Sequence, residues 1–344
     1  MTMQRITTRP LKLAGFLLGL LCFQTLSHPA IAMPITNYQP TFIPVQDQTG
    51  CLKIALRLYN QHNSLYTLLV DPYTLSTSTC QFNKLHQRKL HPPKKDPGYF
   101  LWEELAQTPY MQLIKHCTTP PFVHQNGGIR HALGQADGVF LTVDMCPSNK
   151  PFEQAFFRRL ASLSAKESPF AVGISMSGLW MLGHPKEFAW LCQEASNRKL
   201  QITWINHTFS HLYYPDIALA NNFMCFSAIN LPEHEQQLFT QTRLQEEILL
   251  TERLLLEHDQ LPSVFFRFPG LIADQGLMTR LGNLGLIPLG ADAWLAKGEQ
   301  PKPGSIILVH GNGNEWPGIK KVMRLLDDDS LQWLPLSDLG KIHA

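Results

Sequence analysis

His207 and His211 stand four residues apart, just after an apolar, strand-like run. On a helical turn, residues at that spacing share a face, and two imidazoles on one face can hold one metal ion. The pair alone is weak evidence in a chain with 14 histidines, where chance spacing or core packing gives the same pattern. Two further polar residues strengthen the metal reading, because each ends a run that reads as a buried strand. Asp144 follows Val139–Val143, and His310 follows Ile306–Val309. A carboxylate can take a proton from water, and an imidazole with a pKa near neutral can return one. A divalent ion can polarise a carbonyl and acidify water. These are the parts of a metal-assisted hydrolysis. Plainer readings exist for each residue: Asp144 as a helix cap or a partner for Arg267, Arg267 as a partner for Asp292, Trp294 as core.

The elements that must position these residues alternate in type from Gly138 onward. Val139–Val143, Phe170–Ile174, Gln201–Ile205, Val264–Phe266 and Ile306–Val309 read as strands. Phe152–Leu163, Pro185–Ser196 and Glu235–His258 read as helices, the last with Leu244, Ile248 and Leu255 on one face. Such alternation predicts a parallel sheet, open or closed into a barrel, with chemistry at the carboxyl ends of its strands. Residues 33–130 differ. They read as a small, loop-rich region with short strands such as Leu52–Leu56 and Tyr66–Val70. A basic, proline-containing stretch from Lys84 to Gly98 reads as a solvated loop, or as a contact for an anionic polymer.

Five short motifs between Gly138 and Lys341 give this part of the chain a family likeness. They are Thr142-Val143-Asp144-Met145-Cys146-Pro147, His207-Thr208-Phe209-Ser210-His211, Arg267-Phe268-Pro269, Asp292 with Trp294, and Leu308-Val309-His310. In this order they resemble the polysaccharide deacetylases of carbohydrate esterase family four. The resemblance implies an α/β fold: a distorted (β/α) barrel deacetylase domain over 131–344, preceded by the β-containing region 33–130. It implies that Asp144 is the general base, His310 the general acid, and His207 and His211 the metal ligands. Arg267 would orient the base and Asp292 would tune the site. Trp294 would wall the substrate pocket, and Leu308 would face the acetyl methyl.

One position departs from the pattern. The family's second aspartate, a metal ligand, falls on Met145, whose thioether is a poor ligand for a hard or borderline ion. Asp144 could ligate instead, or water or a third side chain could fill the gap, or the metal could be lost. Cys146 is a candidate thiolate ligand. The favoured reading for it is a disulfide partner or a small residue in place of the family's glycine. The implied cofactor is a divalent metal, zinc first and cobalt or nickel next, unless the site is empty. The implied substrate is an N-acetylated or O-acetylated polysaccharide or oligosaccharide, hydrolysed at carbon–nitrogen bonds other than peptide bonds. The alternatives are a catalytically silent carbohydrate-binding protein and an amidohydrolase acting on a non-sugar substrate.

The 344 residues are 44% hydrophobic and 16% charged, with a net charge of only +2, which argues against a nucleic-acid partner. Arg5, Arg9 and Lys12 precede a short apolar run, Leu13–Leu21, and Ala30-Ile31-Ala32 supplies small residues before Met33. Residues 1–32 therefore read as a signal peptide that sends the protein to the periplasm or outside the cell, with no membrane span left after cleavage. An uncleaved N-terminal anchor is the other reading. Cys51, Cys80, Cys117, Cys146, Cys192 and Cys225 remain, and in an oxidising compartment they predict disulfides, Cys51–Cys80 foremost. No CxxC occurs, and no role falls to His86, His91, His116, His131 or His184.

Overall fold

The computed structural model describes residues 34–87, 102–165, 168–211 and 241–341. Five strands come first: β1 (Thr36–Gln46), β2 (Leu52–Gln61), β3 (Ser64–Val70), β4 (Thr77–Gln81) and β5 (His86–Gln87). They form an antiparallel sheet in the order β4-β3-β2-β1-β5. The region is thus more regular than its loop-rich sequence predicts. Helices α1 (Trp102–Ala106) and α2 (Pro109–Thr118) follow, and Thr108 caps α2 by accepting from the Met111 backbone N–H.

The remainder is built on seven strands: β6 (Phe140–Met145), β7 (Phe170–Met176), β8 (Leu200–Asn206), β9 (Pro262–Phe266), β10 (Ile287–Pro288), β11 (Ala293–Trp294) and β12 (Ile306–His310). Their order is β10-β9-β8-β7-β6-β12-β11, and every neighbouring pair is parallel. This is an open half-barrel, a distorted version of a (β/α) barrel. Around it, among the described residues, lie α3 (Gln154–Ser162), α4 (Gly178–Gly183), α5 (Pro185–Ser196), α6 (Gln241–Glu257), α7 (Gln275–Asn283) and α8 (Trp316–Leu325). The predicted strands and helices of this half fall on observed ones within a few residues. The first residues predicted for the long helix, 235–240, lie outside the described residues, as do Cys22, Cys225, the signal-like segment 1–32 and most of the Lys84–Gly98 stretch. Among the described residues no helix is long and apolar enough to cross a membrane.

Strand alternation sorts the side chains into two layers. On β6, Leu141, Val143 and Met145 join the outer layer with Ile307 and Val309 of β12 and the apolar faces of α3 and α8. Burying Phe156, Phe157 and Leu160 of α3 there contributes ~1.5–3 kcal/mol each. Phe140, Ile306 and Leu308 face the other way, into a second core. That core also takes Leu52, Ile54, Leu56 and Val70 of the antiparallel sheet, so the two sheets share one interior. Arg57 of β2 reaches α6, pairing with Glu252 at 2.6 and 2.8 Å, and Tyr110 of α2 donates to the Gly285 carbonyl at 2.6 Å. Gly285 has φ +74°, and a Cβ there would meet Leu56 and Tyr110 at 2.7 Å.

Cys51, Cys80, Cys117, Cys146 and Cys192 are free thiols. The expected Cys51–Cys80 disulfide is not formed, and strand register gives the reason. Cys80 pairs with Thr67, which pairs with Leu58, so its row crosses β2 seven residues beyond Cys51. Seven strand residues span ~23 Å, far beyond the ~7 Å Cα separation a disulfide bridges.

Candidate active site

Asp144 and His310 are cross-strand partners at the carboxyl ends of β6 and β12. Both point to the face away from Met145. Asp144 is 3% exposed, and its Oδ1 accepts from Arg267 Nη1 at 2.7 Å. The same nitrogen donates to Thr142 Oγ1 at 2.8 Å, and Nη2 donates to the Gly290 carbonyl at 3.1 Å. Arg267 is fully buried just beyond β9, where its backbone N–H donates to the Asn206 carbonyl. Burial alone would raise the Asp144 pKa, but the Arg267 guanidinium and the charges of His207 and His310 hold it below the usual value. Asp144 is therefore an anion fixed in one orientation.

His207 and His211 do not lie on a helix. The chain leaves β8 in a tight loop with Thr208 at φ 63° and His211 at φ 53°. The short polar side chains around it close the turn. Thr208 N–H donates to Asn206 Oδ1, and His211 N–H donates to Thr208 Oγ1. Glu247 of α6 clamps the loop from outside, accepting from Ser210 N–H and Oγ–H at 2.6 Å each. The two imidazoles still meet, with ring centroids 4.6 Å apart. His207 places Nδ1 2.8 Å from the Arg267 carbonyl, which directs Nε2 into the site. His211 Nε2 is buried and has no hydrogen-bond partner.

Cys146 completes this group. Its Sγ lies 3.6 Å from His207 Nε2, and one donor atom each from Cys146, His207 and His211 fall within 4.8 Å of one another. Asn312, fully buried, fixes the Cys146 carbonyl with a 2.8 Å hydrogen bond. Burial pushes the thiol up, but His211, His207 and His310 together draw it well below its ordinary value. The disulfide reading of Cys146 gives way to a buried free thiol beside two imidazoles. Met145 sits in the outer layer, with its Sδ close to Gly311 and Phe157, remote in kind from a ligand position.

His310 makes a contact that spacing alone does not reveal. Its Nδ1 lies 2.8 Å from Glu315 Oε2, and the same oxygen accepts from Trp294 Nε1 at 2.9 Å. Burial would lower the His310 pKa, but its hydrogen bonds with Cys146 and Glu315 raise it well above the ordinary value. Asp292 is placed elsewhere. Its carboxylate accepts from Ile306 N–H and Ser305 Oγ–H and pairs with His131 Nδ1 at 2.8 Å. It thus tethers the start of β12, and the carboxylate beside His310 is that of Glu315. The only sequence signal for Glu315 is the turn-forming Gly311-Asn312-Gly313-Asn314 before it, which folds the chain back on His310.

Asp144, Cys146, His207, His211, Trp294, Leu308, His310 and Glu315 line one open cavity of ≈ 450 Å³. Lys297 Nζ rests 3.7 Å above the Trp294 ring at its edge. The donors fit a divalent ion: an oriented His207 Nε2, the imidazole of His211 with its Nε2 buried and unpartnered, and the Cys146 thiol 3.6 Å from His207 Nε2.

Residues 36–111 match the family model described as RP012 protein N-terminal domain. In structure the chain matches a family 4 carbohydrate esterase from Bacillus anthracis at 20% identity and a TM-score of 0.43, covering 62% of this chain and 87% of that one. It matches a family 4 carbohydrate esterase from Streptomyces lividans, in complex with acetate, at 17% identity and TM-score 0.40, covering 61% and 98%. The chain is similar to family 4 carbohydrate esterases. It also matches a pseudoenzyme of the same family from Bacillus anthracis at 12% identity and TM-score 0.39, covering 64% and 73%. In this half-barrel, all the site residues named from sequence except Arg267 and Asp292 reach the cavity lining, and Arg267 stands directly behind Asp144.

Proposed function

We propose that the chain is an exported, metal-assisted hydrolase that removes acetyl groups from N-acetylated or O-acetylated polysaccharide. One observation carries this reading: an anionic carboxylate, a pair of convergent imidazoles and a carboxylate-held imidazole line a single cavity at strand carboxyl ends. A divalent metal, zinc in this reading, would be held by His207 and His211 and would polarise the acetyl carbonyl and acidify water. Asp144, held ionised by Arg267, takes the proton from the attacking water. His310, kept protonated by its Glu315 contact, gives a proton to the departing sugar nitrogen or oxygen. Leu308, fully buried beneath the cavity, offers an apolar seat for the acetyl methyl. Trp294 presents its ring as a wall for the sugar.

Acetate release from N-acetylglucosamine oligomers and from O-acetylated xylan, with zinc-supplemented protein, tests this reading. Release that Asp144→Asn abolishes is expected, and no release from either glycan overturns it. Met145, in place of a ligand carboxylate, favours a second reading, a carbohydrate-binding protein without turnover. Oligosaccharide binding by calorimetry with no acetate release would identify it. Release from small acetamides but not from glycans would indicate a non-sugar amidohydrolase.

A further inference from the structure

We propose that Cys146, as its thiolate, is the third protein ligand of a Cys–His–His metal site that prefers zinc. This rests on the metal-site part of the function proposed above and names the donor that replaces the missing carboxylate. Three independent observations point to it. The first is geometry. A zinc ion bound by sulfur at about 2.3 Å and by imidazole nitrogen at about 2.0–2.1 Å, at a tetrahedral angle, sets those atoms about 3.6 Å apart. The observed Cys146 Sγ to His207 Nε2 separation is 3.6 Å. The second is the orphaned donor. His211 Nε2 is buried and unpartnered, and a ring nitrogen of His211 lies within 4.8 Å of the Cys146 sulfur and the His207 nitrogen. Burying a polar nitrogen without a partner costs ~1–3 kcal/mol, and a metal bond removes that cost. The third is preparation of the surroundings. The Arg267 carbonyl fixes the His207 tautomer, Glu247 clamps the loop carrying His211, and Asn312 fixes the backbone of Cys146.

The substitution changes what the site selects. A thiolate with two imidazoles is softer than a carboxylate with two imidazoles, so it favours zinc and cobalt over magnesium, calcium or manganese. Three protein ligands leave a fourth position open, the arrangement of catalytic rather than structural zinc. The Cys146 sulfur would bind as its anion, with any proton it carries passing to solvent. Met145 then needs no ligand role, which agrees with its place in the outer apolar layer.

The test is spectroscopic and uses the full chain. Apoprotein loaded with one equivalent of cobalt(II) is expected to show a sulfur-to-cobalt charge-transfer band in the near ultraviolet. Cys146→Ser is expected to lose the band and to bind zinc at least ~10-fold more weakly, while Cys192→Ser keeps both. Absence of the band in the unsubstituted protein, or its survival in Cys146→Ser, overturns the proposal. Should Cys146→Ser fail to fold, the unsubstituted protein decides. Zinc is expected to slow iodoacetamide alkylation of Cys146, read by peptide mass spectrometry, and equal rates with and without zinc overturn the assignment. Acetate release is scored separately. A cobalt–thiolate band without release leaves the ligand assignment standing and removes the deacetylase reading, whereas release without the band does the reverse.

Discussion

Glu315 Oε2 lies 2.8 Å from His310 Nδ1 and 2.9 Å from Trp294 Nε1, so one carboxylate oxygen holds both the proposed acid and the pocket wall. The contact favours the protonated imidazole and aims its other nitrogen into the cavity. Glu315→Ala is expected to lower kcat by roughly 10–100-fold, short of the ~10²–10⁴ for loss of the acid itself in His310→Ala. The pH profile gives the sign. Activity that needs protonated His310 is lost as pH rises through its pKa, and removing Glu315 lowers that pKa. The alkaline limb of kcat should therefore move to lower pH in Glu315→Ala, and Glu315→Asp should move it less. An unshifted limb would make Glu315 a purely structural contact.

Arg267 is buried with Asp144 as its anionic partner, so either half alone is a liability. Arg267→Met is expected to destabilise the fold by about 3–5 kcal/mol, read from urea unfolding, because it strands a buried carboxylate. Turnover should fall together with stability, since Asp144 then protonates more readily. Arg267→Lys should restore little, because one ammonium cannot reach Thr142, Asp144 and Gly290 at once.

Gly178 opens α4 directly beneath the histidine loop, and a Cβ there would meet Phe209 Cδ2 at 2.1 Å. Its N–H and that of Leu179 donate to the Thr208 and Phe209 carbonyls. Gly178→Ala should displace the loop and cost roughly 1–3 kcal/mol by overpacking. Zinc affinity should fall, measured by competition with a chromophoric chelator, while the far-ultraviolet circular dichroism stays unchanged.

The bidentate Arg57–Glu252 pair ties the antiparallel sheet to α6, and both side chains are about 1% exposed. Glu252→Gln should lower stability by about 3–5 kcal/mol in urea, whereas Arg57→Met with Glu252→Leu should recover much of it. Additive losses in the double variant would contradict a coupled pair. The stability of the half-barrel should follow these changes, because Leu56 and Phe265 belong to the same core.

Much of the half-barrel is readable from sequence, because a parallel strand buried on both faces is a short apolar run ending in a polar residue. Asp144, His207, His211 and His310 are legible on those grounds, each standing at or just past such a run. Arg267 is legible from its motif. What the chain order cannot carry is direction and partnership. Alternation turns Met145 outward and leaves Asp144 facing in, and the bend after β6 swings Cys146 toward two histidines that lie 61 and 65 residues further on. The His-x-x-x-His spacing suggests a helix, yet left-handed turns at Thr208 and His211 bring the rings together. Glu315, to which the sequence assigned no role, reaches His310 because a loop reversal follows β12, while Asp292, expected to tune the site, is taken up at the start of β12. Residue types and local period therefore determined the chemistry on offer. Only tertiary packing decided which donors share a cavity, because that depends on where strands end and loops turn rather than on distance along the chain.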